Sequence, residues 1–214
     1  MTTRRTCLGF EWLLQMTSRD WQVLDLGYDA MNLSLALQFT PFVKASELFG
    51  DAPDEIVKAF AERNMTLNNH DKGIQPKDFY EHPQLGQFFH ILATNVDRRG
   101  VPFVSAIEAK RFRIFGVQFH PEKNMFEWGT YPDGTPYEVI DHAPDAIQAS
   151  QYLANFFVDQ ARRNTNHGFH SAEQERNALI YNYHAFMTTW PDFVQSYLFS
   201  KYRYPPNDPL AAIS

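Results

Sequence analysis

The chain holds a single cysteine, Cys7, among its 214 residues. One thiol excludes an intrachain disulfide framework and a cysteine-rich zinc site, and leaves either an inert buried thiol or a nucleophile. Long apolar runs are missing as well. None approaches the roughly 18 residues that read as a membrane span, and the first ten residues lack the apolar stretch of a signal peptide, so no membrane partner is expected. A basic excess is also missing: 19 Lys and Arg stand against 25 Asp and Glu, a formal net charge of -6. That removes the electrostatic footprint of a duplex-binding protein, and no nucleic acid partner is expected. The eight histidines show no ligand spacing with acidic partners, so neither a metal nor an organic cofactor is expected. What is present is apolar and aromatic matter, 44% and 15% of the residues. That is enough for a core and too aromatic for a disordered chain.

The pattern along the chain predicts an α/β fold. Phe10, Leu13, Leu14 and Thr17 share one face at helical spacing, which predicts a helix beginning near Cys7. Trp21–Leu26 and Met31–Phe39, separated by Gly27 and Asp29, predict two strands joined by a turn. Asp51 as cap and Pro53 in the first turn predict a helix burying Ile56, Val57, Phe60 and Ala61 and ending near Asn64. Phe88–Thr94 and Val101–Ile107 flank the polar turn Asp97-Arg98-Arg99-Gly100 and predict a hairpin. Arg111–Phe119 predicts a further strand that must stop at Pro121, which has no N–H, and so displays His120 at its tip. His142–Asn164 predicts a long helix with a stripe of Ala146, Ile147, Leu153, Ala154, Phe157, Val158 and Ala161. Asn177–Phe186 and Phe193–Phe199 predict a last helix or strand pair, and residues 200–214 an irregular tail.

Three residues carry the chemistry. Cys7, in Thr6-Cys7-Leu8-Gly9, stands between a strand end and a helix start, as at a nucleophile elbow. A helix N-terminus or a nearby imidazolium raises the thiolate fraction of such a cysteine. His120 suits the role of base to the thiol and acid to the leaving amine, and Glu122 that of orienting the imidazole. On residue type alone, a lone cysteine is more often a small buried hydrophobe.

The two local contexts, Thr6-Cys7-Leu8-Gly9-Phe10-Glu11 and Gly116-Val117-Gln118-Phe119-His120-Pro121-Glu122-Lys123, together resemble the class I glutamine amidotransferase superfamily of Cys-His-Glu hydrolases. The closest resemblance within it is to the gamma-glutamyl hydrolase (folylpolyglutamate hydrolase) family. Glu11 stands where amidotransferases usually carry Gln. Lys123 with Phe126-Glu127-Trp128, His142-Ala143-Pro144 and Ala178-Leu179-Ile180-Tyr181 are similar to the hydrolases. The resemblance runs from about Thr6 to about Phe199. It implies a flavodoxin-like α/β sandwich with a mixed sheet, with residues 1–214 forming a single domain, the C-terminal portion of the family domain. It also implies a cysteine omega-peptidase acting on γ-glutamyl bonds of folate polyglutamates or related compounds. Cys7 is then the nucleophile, His120 the proton shuttle, Glu122 its support, the N–H of Leu8 an oxyanion donor, and His70 in Asn68-Asn69-His70 a substrate contact. Lys110, Arg111, Arg113 and Lys123 are expected to attract an anionic polyglutamate tail.

Members of the family carry an apolar strand ahead of the nucleophile and a Gly two positions before it. Here Met1-Thr2-Thr3-Arg4-Arg5 stands in that place, which predicts a chain lacking the N-terminal part of the family domain, with a sheet edge and apolar helix faces free to associate, a homodimer included. The location implied by the resemblance is a lysosome, a vacuole or the cell exterior. Asn32-Leu33-Ser34 and Asn64-Met65-Thr66 match the glycosylation tripeptide at close to chance frequency. A glutaminase domain feeding ammonia to a synthase, and a truncated fragment without catalysis, are the alternative functions.

Overall fold

A computed structural model describes residues 8–165, 168–187 and 193–199. The described residues form two compact units, the first drawn from residues 1–126 and 138–160 and the second from residues 127–137 and 161–214.

The first unit opens with helix α1, Leu8–Ser18, which buries Phe10, Glu11 and Leu14. It ends where Arg19 turns left-handed at φ 57°, the conformation that stops a helix by aiming the next N–H groups back at its last turn. Leu8, Trp12 and Met16 leave the other side of α1 exposed. Strand β1, Asp25–Leu35, replaces the expected pair of strands. The chain does not reverse at Gly27. Positive φ at Gly27 and Asn32 is absorbed as irregularities in one long strand, which pairs antiparallel with β3, Thr66–Gly73. Between them lie the short β2, Gln38–Phe39, a 3-10 turn at Pro41–Ala45, and α2, Asp54–Glu62. Pro53, not Asp51, is the N-cap of α2, and no side chain caps it; the buried positions are Ile56, Ala59 and Phe60, while Ala61 is exposed. Its dipole is served instead by Asp54 and Glu55 in the first turn.

Two short helices, α3 at Pro76–Glu81 and α4 at Pro83–Phe88, lead into the hairpin of β4, Phe89–Val96, and β5, Pro102–Ala109. The Asp97 carboxylate shapes its turn. Oδ1 accepts the N–H groups of Arg99 and Val101, each at 2.9 Å, and Oδ2 accepts the Asp29 N–H of β1 at 2.9 Å. Gly100 supplies the φ of 79° that the turn requires. Strand β6 is short, Phe115–Val117. The expected strand over 111–119 is cut at its front because the Ala109 N–H donates to Ile114 O at 2.9 Å, closing the intervening residues into a loop. The sheet order is β2-β4-β5-β6, and every strand pair among the described residues is antiparallel. With helices mixed among these strands, the fold is of the α/β class.

Beside a smaller cluster of Tyr28, Ala30 and Phe103, two large apolar ones build most of the core. One joins Phe49, Phe60, Leu92, Ala93, Ala106, Phe119, Ala146, Ala149 and Leu153. The other joins Phe10, Leu14, Phe79, Leu85, Phe89, Ile91, Val104 and Ile107. Strands β4 and β5 supply both, so the hairpin is the common wall. Each of these large side chains contributes roughly 1.5–3 kcal/mol by leaving water. Helix α6, Pro144–Arg162, follows the short α5, Lys123–Phe126. Its buried face is Ala146, Ala149, Ser150 and Leu153, rotated from the expected stripe, and Phe157 is 73% exposed. Small residues let this face approach the cluster closely, which a bulkier stripe would not.

In the second unit, α7, Ala172–Ala178, is capped by Ser171, whose Oγ accepts the Gln174 N–H. Strands β7, Ala185–Met187, and β8, Gln195–Tyr197, pair antiparallel. The expected tail at 200–214 lies outside the described residues. No described helix is long and apolar enough to cross a membrane.

Candidate active site

The segment after β6 changes partners. The Gln118 N–H donates to Ser105 O of β5 at 2.9 Å, and the His120 N–H donates to Leu67 O of β3 at 2.8 Å. His120 therefore sits where the chain passes from the four-stranded sheet to the β1–β3 pair. Pro121 offers no N–H to extend either ladder, and α5 begins two residues later.

His120 Nδ1 lies 2.8 Å from Glu122 Oε1. The imidazole is the less exposed partner, at 20% against 55% for the carboxylate. Partial desolvation pushes the Glu122 carboxyl up, but the His120 hydrogen bond and charge outweigh it and the net shift is downward. An ionised Glu122 accepts the Nδ1 proton and presents Nε2 as the basic nitrogen. Cys7 lies outside the described residues. Leu8 opens α1, so its N–H is among the four at a helix start without an intrahelical acceptor.

His70 is fully buried, at 0% exposure. Its Nδ1 lies 2.7 Å from Lys72 O and its Nε2 3.3 Å from Asn68 Oδ1. The Asn68 orientation is fixed, because its Nδ2 donates to Thr66 O at 2.9 Å. Both ring nitrogens thus face oxygens, as would suit an imidazolium. Burial is nevertheless the largest influence and pushes the pKa down to about 4, with the Lys72 carbonyl resisting and the His120 charge assisting. The ring is neutral near pH 7, with its proton on Nδ1 toward Lys72 O.

Lys123 stands apart from the expected basic cluster. Lys123 is only 1% exposed and forms an ion pair with Glu138, itself 2% exposed; a cation withdrawn from water against a carboxylate does not attract a distant anion. Lys110 Nζ donates to Gly86 O at 2.6 Å. The two glycosylation asparagines are engaged as well: Asn32 Oδ1 accepts the Val139 N–H at 2.8 Å and Asn64 Oδ1 the Ala36 N–H at 3.1 Å.

Several participants had no sequence signal of their own. Glu138 also accepts Asn69 Nδ2 at 2.8 Å, and Asn69 Oδ1 accepts the N–H of Asn32 at 3.1 Å. This chain of bonds ties the residue after Glu122 to the residue before His70. Among the described residues, no group of three or more His, Cys, Asp or Glu side chains is placed to hold a metal ion.

The sequence profile of glutamine amidotransferase class-I matches residues 7–132, which include α1, both sheets of the first unit and the His120–Glu122 pair. The chain belongs to the class I glutamine amidotransferase family. Within this family it is 37% identical over 196 residues to gamma-glutamyl hydrolase B of Dictyostelium discoideum, covering 91% of this chain and 54% of the relative. To the gamma-glutamyl hydrolase of Homo sapiens it is 37% identical over 195 residues, 91% of this chain and 58% of the relative. To probable gamma-glutamyl hydrolase 3 of Arabidopsis thaliana it is 37% identical over 178 residues, 83% of this chain and 48% of the relative. The chain thus spans about half the length of the curated relatives it matches. The family resemblance carried by the cysteine and His-Pro-Glu contexts is thereby shown over most of the chain.

Proposed function

We propose that this protein hydrolyses γ-glutamyl bonds, with folyl or other γ-linked polyglutamates as its substrate class. Cys7 attacks the γ-carbonyl carbon while His120 Nε2 takes the thiol proton, and Glu122 holds the imidazolium that forms. The oxyanion of the tetrahedral intermediate accepts the Leu8 N–H. His120 then gives its proton to the leaving amine, and water releases the acyl group from the thioester by the same steps in reverse order. The observation that carries this reading is the 2.8 Å contact of His120 Nδ1 with Glu122 Oε1, formed by the motif shared with the family and supported by the names of the relatives.

The test is release of glutamate from a pteroyl polyglutamate by the purified protein beside Cys7→Ala and His120→Ala. Turnover is expected in the unaltered protein and reduced by at least about 100-fold in each variant. Undiminished turnover in Cys7→Ala overturns the mechanism. Ammonia released from glutamine without peptide cleavage overturns the substrate class.

A further inference from the structure

The residue that follows Glu122 is anchored more firmly than Glu122 itself. The Glu122 side chain is 55% exposed, so packing does not hold it against His120, and a long side chain gives up rotamer freedom to stay there. Its position is set by the backbone on either side. Pro121 fixes φ ahead of it, and Lys123, 1% exposed, is pinned behind it by the ion pair with Glu138. Both oxygens of Glu138 are in use: Oε2 accepts the Lys123 ammonium, and Oε1 accepts Asn69 Nδ2 at 2.8 Å. Asn69 is itself fixed, because its Oδ1 accepts the Asn32 N–H at 3.1 Å. It shares β3 with Leu67, whose carbonyl accepts the His120 N–H at 2.8 Å. The contacts therefore close a circuit, from His120 through Leu67, Asn69, Glu138, Lys123 and Glu122 back to His120 Nδ1. All of these residues lie within the first unit.

We propose that Lys123 and Glu138 are positioning residues for catalysis, holding Glu122 against the His120 ring through a circuit that Asn69 closes on β3. The inference rests on the proposed mechanism and adds to it two residues that act only through the His120–Glu122 pair. Stability alone does not call for charges here, since an apolar pair of similar volume serves it as well or better. Direction does. An apolar contact tolerates sliding, whereas a carboxylate with a donor on each oxygen fixes both donors at once. The Lys123 charge also favours the ionised form of Glu122, the form that accepts the Nδ1 proton. A displacement of about 1 Å at a catalytic group is enough to cost about 100-fold in rate. Loss of the circuit is therefore read in kcat, while KM, set by contacts with substrate, stays as it is.

The experiment measures kcat and KM for a pteroyl polyglutamate in the unaltered protein, in Lys123→Met combined with Glu138→Leu, in Glu138→Asp, in Glu122→Gln, and in Glu122→Gln added to the apolar pair. The apolar pair is expected to keep the fold, which melting temperatures check, so its loss of activity is not one of folding. It is expected to lower kcat by about 10-fold to 100-fold with little change in KM. Glu138→Asp keeps both charges but shortens the reach by a methylene, and lowers kcat by at least about threefold. Glu122→Gln, costing about 100-fold on its own, is expected to cost less than about threefold on top of the apolar pair, because residues that act as a unit are not additive. A second readout is the tautomer of the His120 ring at alkaline pH, from the NMR shifts of its nitrogens. The proton is expected on Nδ1 in the unaltered protein and distributed over both nitrogens in the apolar pair. An apolar pair with unaltered kcat, or losses that multiply in full, overturns the proposal. Should the apolar pair not fold, Glu138→Asp decides, and kcat or tautomer left unaltered in it overturns the proposal. If the unaltered protein turns over no substrate, the γ-glutamyl reading fails and the tautomer decides the positioning separately. A proton held on Nδ1 only while the Lys123–Glu138 pair is intact upholds it, and any other distribution overturns it.

Discussion

Lys123 and Glu138 form an ion pair with both side chains withdrawn from solvent, at 1% and 2% exposure, and Glu138 passes the contact on to Asn69 at 2.8 Å. A buried pair is costly to halve and cheap to replace as a whole. Lys123→Met is expected to destabilise the protein by about 3–5 kcal/mol in denaturant unfolding, because it strands the Glu138 carboxylate. Lys123→Met combined with Glu138→Leu is expected to regain most of that loss. A double variant no more stable than the single would refute the account.

His70 sets a pH window. Its pKa is about 4 in the folded protein and about 6.5 in the unfolded chain. Between these values the unfolded chain binds more protons, so stability rises with pH. The contribution is complete above about pH 6.5 and lost by pH 4, roughly 3 kcal/mol in all. Urea midpoints across this window, measured beside His70→Asn, check it. The slope should flatten in the variant.

Glu122→Gln keeps the size of the side chain and removes the charge that favours an imidazolium. The expected result is a kcat lower by about 100-fold or more with little change in melting temperature, since the carboxylate is 55% exposed. Because the folded pKa of Glu122 is depressed, its small contribution to stability is present above the ordinary carboxylate range and lost as pH falls through the folded value. A kcat within threefold of the unaltered protein would remove Glu122 from the mechanism.

Phe60, 1% exposed, meets Phe49 edge to face with ring centroids 5.6 Å apart. Phe60→Ala is expected to cost about 3–5 kcal/mol in denaturant unfolding. A loss below 1 kcal/mol would mean that the cluster relaxes into the space.

The sequence displayed what is local. Helix α1, the β4–β5 hairpin with its Asp97–Gly100 turn, and His120 two residues from Glu122 all follow from short-range pattern and motif. Strand β3 has no signature in the sequence because Thr-Leu-Asn-Asn-His-Asp-Lys-Gly lacks apolar alternation. Its buried Asn68 and Asn69 are tolerated because partners distant in sequence, Leu33 and Glu138, satisfy them, and His70 because the Lys72 carbonyl takes its Nδ1 proton. For the same reason Lys123 read as a surface charge. Its pairing with Glu138 depends on two loops meeting, which no spacing encodes. Gly27 read as a reversal because glycine marks turns and bulges alike. The buried face of α6 is rotated from the stripe its sequence predicts because Ala149 and Ser150 carry little hydrophobic signal, although they face the core.

The handover from Ser105 to Leu67 makes the placement of His120 a joint property of two sheets. Each ladder fixes one end of a three-residue span, and an opening of either releases the imidazole from its alignment. Such local openings need only a fraction of the free energy of global unfolding. The His120 amide donates to Leu67 O, so its exchange with solvent is expected to report the opening of that one bond, and with it the loosening of the ring beside Glu122.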